Sequence, residues 1–257
     1  MGTTVASLHH LKVGCGDASV IQTDVTFLVD CHRIDEHRSL LPASKVLRGV
    51  FITHQHRDHY SGLEFLRTNG YKVEYLIYSP YVRRNGDTSV TIEEWDEFLA
   101  HQGYFKKQGA KTYTPHRQTS WDKPWWSNGG VDFWLLGPKE STATSSTRHI
   151  HDACLVIKAN MGSRKCLFTG DASDTNLRDV ATLNHICDDI LHASHHGSLE
   201  GADLDFVKKC KATYTVISTE SGVHESVPHP TALQRYRDNT TEKVYRTDLD
   251  GSLKWTL

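Results

Sequence analysis

The sequence predicts an α/β layered fold, a single domain spanning residues 1–257. Three observations point there. Short apolar runs of strand length alternate with segments of 3.6-residue periodicity, most clearly after residue 131. No internal repeat or low-complexity linker divides the chain. Residues of metal-ligand type gather directly after apolar runs, where α/β sheets place their sites.

The elements follow in order. Residues 20–31 (VIQTDVTFLVDC) read as two strands split by the polar Thr23-Asp24 turn. Residues 47–53 read as a buried strand running straight into a polar cluster. Residues 61–69 form a short helix with Leu63 and Leu66 on one face and Gly70 as its stop. Residues 75–78 read as a strand. Residues 91–107 carry a capping box, Thr91 with Glu94, ahead of Ile92, Trp95, Phe98 and Leu99 on one expected face. Residues 113–130 form a loop whose Trp121, Trp125 and Trp126 either pin it to the body or offer a base-stacking platform. Strands follow at 131–136, 154–159, 165–169, 189–193 and 214–218, with helices at 175–184, 202–210 and 230–239. Strands at 243–246 and 252–255 are expected to pair as a hairpin through Asp250-Gly251.

Composition sets limits. At 38% hydrophobic and 23% charged residues the balance is that of a folded soluble domain, which excludes a disordered chain or a coiled coil. A net charge of −2 excludes nucleic-acid binding through a bulk basic surface, but not through a local track such as Arg83, Arg84, Arg148 and the lysines at 208–211. Residues 1–11 have no basic, apolar leader pattern, and no run approaches 18 apolar residues; no membrane association is expected. The six cysteines are widely spaced with no C-x-x-C pair, which suggests buried free thiols and a reducing, cytoplasmic setting. The unusual number is 17 histidines against 29 Lys+Arg, because histidine is both the commonest metal ligand and the proton carrier of neutral pH.

Their placement is informative. His54-Gln55-His56-Arg57-Asp58-His59 gives H-x-H-x-D-H directly after a strand. At spacing two, His54 and His56 can converge on one ion, with Asp58 and His59 placed to reach another. Imidazole with carboxylate suits Zn²⁺, Mn²⁺ or Fe rather than Ca²⁺ or Mg²⁺. Further ligand-type groups recur near strand ends: His149-Ile150-His151-Asp152, Gly170-Asp171, His195-His196-Gly197-Ser198 and His229-Pro230. Pro230 suits the first position of a helix, so His229 stands at an anion-friendly N-terminus, as a phosphate contact, a leaving-group acid or a plain cap.

Together these motifs resemble the metallo-β-lactamase-fold hydrolases, and within them the soluble hydrolase domain of ComEC-type competence (DNA-uptake) proteins. Val13-Gly14-Cys15-Gly16-Asp17-Ala18 resembles that branch's V-G-Q-G-D-A/S. Phe27-Leu28-Val29-Asp30 resembles its next strand, His195-His196-Gly197-Ser198 its H-H-G-S, and Arg246-Thr247-Asp248 with Gly251 its closing R-T-D-x-x-G. The resemblance implies an αββα sandwich with two divalent metal ions, Zn²⁺ or Mn²⁺. His54, His56 and His151 would hold one, Asp58, His59 and His195 the other, and Asp171 would bridge them. His196 would contact substrate, and Asp30 would orient the metal loop from beneath. The choices between His195 and His196, and between His149 and His151, stay open. His151 stands where the branch carries asparagine, and Cys15 where it carries glutamine. The branch's membrane channel has no counterpart in these residues, so transport is not implied.

The expected activity is phosphodiester hydrolysis, a nuclease acting on DNA through a metal-bridging hydroxide, with Asp58, Asp171, His196 and His229 as catalytic residues. The alternatives are a hydrolase of small substrates (a phosphorylcholine-type ester, cyclic nucleotide, lactone or β-lactam) and a non-catalytic module that kept the fold. Expected partners are nucleic acid or another phosphodiester, with further proteins if the chain works within a larger assembly.

Overall fold

The structure is a computed structural model that describes residues 6–146, 149–224 and 226–257. Its strands are β1 (Ser7–His10), β2 (Ala18–Gln22), β3 (Thr26–Cys31), β4 (Val46–Ile52), β5 (Lys72–Tyr78), β6 (Lys111–Tyr113), β7 (Trp126–Asn128), β8 (Val131–Gly137), β9 (Val156–Met161), β10 (Arg164–Phe168), β11 (Ile190–His192), β12 (Tyr214–Ile217), β13 (Lys243–Arg246) and β14 (Leu253–Thr256). They form two seven-stranded sheets, ordered β14-β1-β2-β3-β4-β5-β6 and β13-β12-β11-β10-β9-β8-β7. Each sheet is half antiparallel and half parallel. The parallel halves run β3 to β6 in the first sheet and β10 to β13 in the second.

Side-chain alternation builds the layers. In β3, Phe27 and Val29 face the second sheet, while Leu28 between them faces the outer helices. Phe27, Val29, Phe51 and Ile77 of one sheet pack with Phe133, Leu135, Ile157, Phe168 and Ile190 of the other in a shared inner core. The helices are α1 (Arg57–Tyr60), α2 (Gly62–Thr68), α3 (Ile92–Lys107), α4 (Glu140–Thr144), α5 (Asp174–Ala181), α6 (Leu204–Cys210), α7 (Pro230–Asn239) and α8 (Thr247–Asp250). Leu63, Leu66, Phe98 and Phe105 of α2 and α3 cover the outer face of the first sheet. Leu177, Val180, Phe206, Val207 and Tyr236 of α5, α6 and α7 cover that of the second. The result is the expected αββα sandwich. Where strands are covered on both sides, successive residues are apolar, as in Val50-Phe51-Ile52 of β4 and Cys166-Leu167-Phe168 of β10.

Two details differ from the sequence reading. The capping box of α3 is present, but Ile92 and Leu99 are exposed at 62% and 41%. The buried stripe is Phe98, His101 and Phe105, because Phe98 is gripped edge-on by Tyr60 and Tyr78 at 5.5 and 5.3 Å. The last two strands form no hairpin. β13 pairs in parallel with β12 and β14 antiparallel with β1, so α8 carries the chain from one sheet to the other. The tryptophan-rich segment follows the first of its two readings and pins the loop to the body: Trp126 meets Phe27 edge-on and stacks on Phe133, both at 5.6 Å. All six cysteines are free; five are buried and Cys15 is partly so. No helix among the described residues is long and apolar enough to cross a membrane.

The site end of the first sheet depends on a close approach. A Cβ on Gly62 would lie 1.9 Å from the Cys31 carbonyl oxygen and 2.7 Å from Ile34 Cγ2. Gly62→Ala is therefore expected to cost about 3 kcal/mol as backbone is forced apart. Urea unfolding in the presence of chelator measures this, and an unchanged midpoint would contradict the packing.

Candidate metal centre

The ends of the parallel strands carry the site. β3 carries Asp30 one residue before its end, β4 leads into Thr53 to His59, β10 into Gly170-Asp171, and β11 into the turn that holds His195 and His196. Hydrogen bonds lock these loops together. Leu155 N–H donates to Thr53 O at 2.9 Å, His195 N–H to Gly170 O at 3.0 Å, and Ser194 Oγ to Ala172 O at 2.9 Å. Gly170 has a φ of +46°, and a Cβ there would meet Thr53 Oγ1 at 2.4 Å, so glycine lets the second sheet's loop lie on the first.

Two donor groups with no residue in common result, and Asp17 adds overlapping ones with Asp171 and His196 and with Asp30 and His59. His54, His56, His151 and Asp171 bring four ligand atoms within 4.8 Å of one another. Asp58, His59 and His196 form a second group under the same limit. Asp171 joins them: Oδ2 lies 3.7 Å from His54 Nε2, and Oδ1 lies 3.3 and 3.6 Å from the Nε2 atoms of His59 and His196. His196 reaches Asp58 Oδ2 at 3.3 Å.

The far nitrogen of most of these rings is held, which sets the tautomer that faces inward. His56 Nε2 donates to Ser89 O at 2.6 Å, freeing Nδ1. His196 Nδ1 donates to Ser218 O at 3.0 Å, freeing Nε2. His59 Nδ1 bonds Asp30 Oδ2 at 2.9 Å, and Asp30 also accepts from Thr53 N–H and Thr53 Oγ1, both at 2.7 Å. Asp30 thus lies beneath the loop.

Of the sequence candidates, His54, His56, Asp58, His59, His151, Asp171 and His196 fall into the two groups, while His195 and His149 fall outside them. His195 and His196 both have left-handed backbones, with φ of 51° and 53°. That turn buries the His196 ring and leaves the His195 side chain 27% exposed, its ring tilted against His151 at 4.7 Å and its Nε2 3.8 Å from Asp171 Oδ2. His149 packs behind His151 at 5.5 Å. His229 is the N-cap of α7, its Nδ1 accepting from Thr231 N–H at 3.1 Å and its own N–H donating to Gly197 O at 2.9 Å. Arg148 lies outside the described residues.

Two residues were missed as site members. Asp17 is buried, with Oδ1 3.6 Å from His196 Nδ1 and 3.5 Å from His192 Nε2. The V-G-C-G-D run was its only sequence signal, because Asp17 arrives from the opening of β2, across the sheet from the histidine motif. His192 opens the same strand-end stretch of ligand-type residues as His195 and His196, but nothing in the sequence gave it a role of its own.

Electrostatics divides the imidazoles. Burial, with His59 close by, holds His54 well below the ordinary histidine value. Burial likewise pushes His151 down to about 3 against the pull of Asp171. Burial would lower His59 and His196 too, but Asp171 and the neighbouring carboxylates outweigh it and hold both well above 6.5. Burial alone would raise Asp58 and Asp171; the imidazoles, His59 first for Asp58 and His196 first for Asp171, hold both below the ordinary carboxylate value.

Does this set fit a metal? His59 Nε2, His196 Nε2 and Asp171 Oδ1 are buried and have no hydrogen-bond partner. Buried unpaired polar atoms are costly, and native structures rarely keep several together without a ligand. Imidazole nitrogens and carboxylate oxygens that converge without partners match the donors that first-row divalent ions take.

A scan against protein-family models finds no match, and a search of curated protein sequences finds none. Solved structures do match. YhfI, a metallo-β-lactamase-fold protein from Bacillus subtilis, superposes with a TM-score of 0.58 at 14% identity over 97% of this chain and 99% of that one. CmlA, a diiron β-hydroxylase from Streptomyces venezuelae, gives 0.62 at 14% identity over 100% of this chain and 55% of that one. A diphosphatase of the PhnP family gives 0.52 at 16% identity over 98% of each. This chain has the metallo-β-lactamase fold.

The charge pattern makes metal-free stability depend on pH. His59 and His196 are raised in the folded state, so their contribution is complete below about pH 6.5 and fades as pH climbs through their folded values. Asp58 and Asp171 are lowered, so theirs is complete above about pH 4 and fades as pH falls through their folded values. In chelator, the stability advantage of wild type over Asp171→Asn is therefore expected to be larger at about pH 5.5 than at about pH 9.5 by urea midpoints. An equal advantage at both would show that the imidazolium–carboxylate pairing is not what holds the cluster.

Proposed function

We propose that this protein is a dinuclear metal-dependent hydrolase of phosphodiesters, with DNA as its substrate. The carrying observation is the shared carboxylate of Asp171, one oxygen in each donor group. In this reading His54, His56 and His151 hold one ion and Asp58, His59 and His196 the other, with Asp171 common to both. Zn²⁺ or Mn²⁺ suits the donors. Bound there, the ions would supply Lewis acidity, bringing a water's pKa towards neutrality and drawing charge from a phosphoryl oxygen.

The chain's own groups do the rest. Asp58 reaches solvent, its side chain 34% exposed against 3% for Asp171, so it can orient an entering water. His195 stands at the rim and takes the substrate-contact role that the sequence reading gave to His196. His229 uses Nδ1 as the helix cap, which leaves the proton on Nε2. It is thus suited to hold a phosphate oxygen, while a proton arriving at Nδ1 would break the cap.

The phosphodiester assignment is supported by the resemblance to the ComEC-type hydrolase domain, and the fold is shared with a PhnP-family diphosphatase. With a net charge of −2, the centre must hold the phosphate locally. Arg83 is committed to Val90 O at 3.1 Å and Asp87 O at 3.0 Å, and Lys208, Lys209 and Lys211, though exposed, sit beside the start of β11, where Asp188 N–H donates to Cys210 O, at the end of the sheet away from the centre.

Purified protein with Mn²⁺ or Zn²⁺ should cleave single- or double-stranded DNA and bis-p-nitrophenyl phosphate. Asp171→Ala and the His54→Ala/His56→Ala pair should lower the rate by about 10²–10³-fold or more. Cleavage of nitrocefin with no phosphodiester cleavage would overturn the substrate assignment. His229→Ala should lower turnover about tenfold with metal content intact, the worth of one strong hydrogen bond. Unchanged turnover would remove His229 from the mechanism.

A further inference from the structure

A separate donor group lies on the helical layer outside the first sheet. His101 of α3 is 3% exposed, and neither ring nitrogen has a hydrogen-bond partner. Its Nε2 is aimed at two carboxylates, 3.8 Å from Glu97 Oε1 one turn back on α3 and 3.9 Å from Glu64 Oε2 on α2. These gaps are too long for hydrogen bonds. Each carboxylate uses its other oxygen elsewhere: Glu97 Oε2 accepts from Arg57 Nε at 2.9 Å and Tyr60 Oη at 3.3 Å, and Glu64 Oε1 accepts from Arg67 Nη2 at 3.0 Å. The remaining two oxygens and the imidazole nitrogen lie within 4.8 Å of one another.

We propose that His101, Glu97 and Glu64 form a separate Zn²⁺ site that ties α3 to α2. One imidazole and two carboxylates make a three-donor set of the kind that leaves Zn²⁺ an open position, and they fall well short of the six to eight oxygens that Ca²⁺ takes. Tetrahedral Zn²⁺ with ligands at roughly 2.1 Å sets its donors about 3.4 Å apart. Closing the two nitrogen–oxygen gaps, 3.8 and 3.9 Å, takes movements of about half an ångström in two long side chains, whose oxygens already lie within 4.8 Å of each other. Glu64, 54% exposed, gives the ion its way in. The neighbouring arginines balance the two carboxylates, while the second oxygen of each stays directed at the imidazole. The site's purpose follows from chain connectivity: α2 continues directly from α1, which carries Asp58 and His59. An ion clamping α2 to α3 braces that segment from outside, and it does so whatever the chemistry at the strand ends.

The test is metal content after equilibrium dialysis of the full chain against Zn²⁺ buffered at about 1 µM free ion. Wild type should retain one equivalent more than Glu64→Gln and one more than His101→Gln, while both variants keep the remaining Zn²⁺ and a native circular dichroism spectrum. Glu64→Gln decides the matter if His101→Gln fails to fold, since Glu64 lies on the surface. Equal Zn²⁺ content in wild type and Glu64→Gln would overturn the proposal. So would an extra equivalent that appears only at about millimolar Zn²⁺, which would mark adventitious binding.

Discussion

Asp171 keeps a carboxylate almost wholly out of water, and the site end of the molecule is arranged around that charge. A buried anion is tolerable only when it is closely paired. Here the partners come from both sheets: His54 and His59 from the loop after β4, His195 and His196 from the turn after β11. Close approach of the two sheets' loops is therefore a condition of the site, and Gly170 and the Leu155 to Thr53 hydrogen bond make that approach possible. Asp30 and Asp17 extend the arrangement a layer further, each buried and each close to an imidazole of the second donor group.

Much of this was legible in the sequence because its causes are local. The apolar run of β4 followed by H-x-H-x-D-H predicts both the strand and the convergence of its ligands. Pro230 after His229 predicts a helix N-terminus, and Thr91 with Glu94 predicts the capped start of α3. What was not legible depends on contacts distant in sequence or on backbone geometry. Two adjacent histidines cannot be told apart by spacing. The left-handed turn at residues 195 and 196 decides which ring is buried, and it is held by His195 N–H bonding Gly170 O across 25 positions. Asp17 joins the site from the opening of β2, so no short motif contains both it and its partners. The exposed Ile92 and Leu99 show the same limit, because the face that α3 buries is chosen by Tyr60 and Tyr78. The final strands were misread as a hairpin because Asp250-Gly251 ends a helical turn that crosses between the sheets.

The fold constrains function loosely. Structures that share it include a diphosphatase and a diiron hydroxylase, at identities of 14–16%. What distinguishes this chain is its donor inventory and how that inventory is shielded. The histidine excess resolves into distinct uses: five imidazoles in the two strand-end groups, His195 at their rim, a cap at His229, and His101 in the outer helical layer. His192 and His10, in ring contact at 5.0 Å, continue the polar interior behind Asp17. The near-neutral charge has its place here too, since attraction for an anionic substrate must then be generated at the centre rather than by the surface as a whole.

The central claim, two ions sharing Asp171 with His196 rather than His195 as a ligand, is tested most directly by anomalous scattering at the zinc edge from crystals grown with Zn²⁺. The account predicts two peaks at the strand ends. One should lie at about 2.0–2.2 Å from donors of His54, His56, His151 and Asp171, the other at the same range from Asp58, His59, His196 and Asp171. A single peak there, or a second ion bound through His195 with the His196 ring turned away, would contradict it.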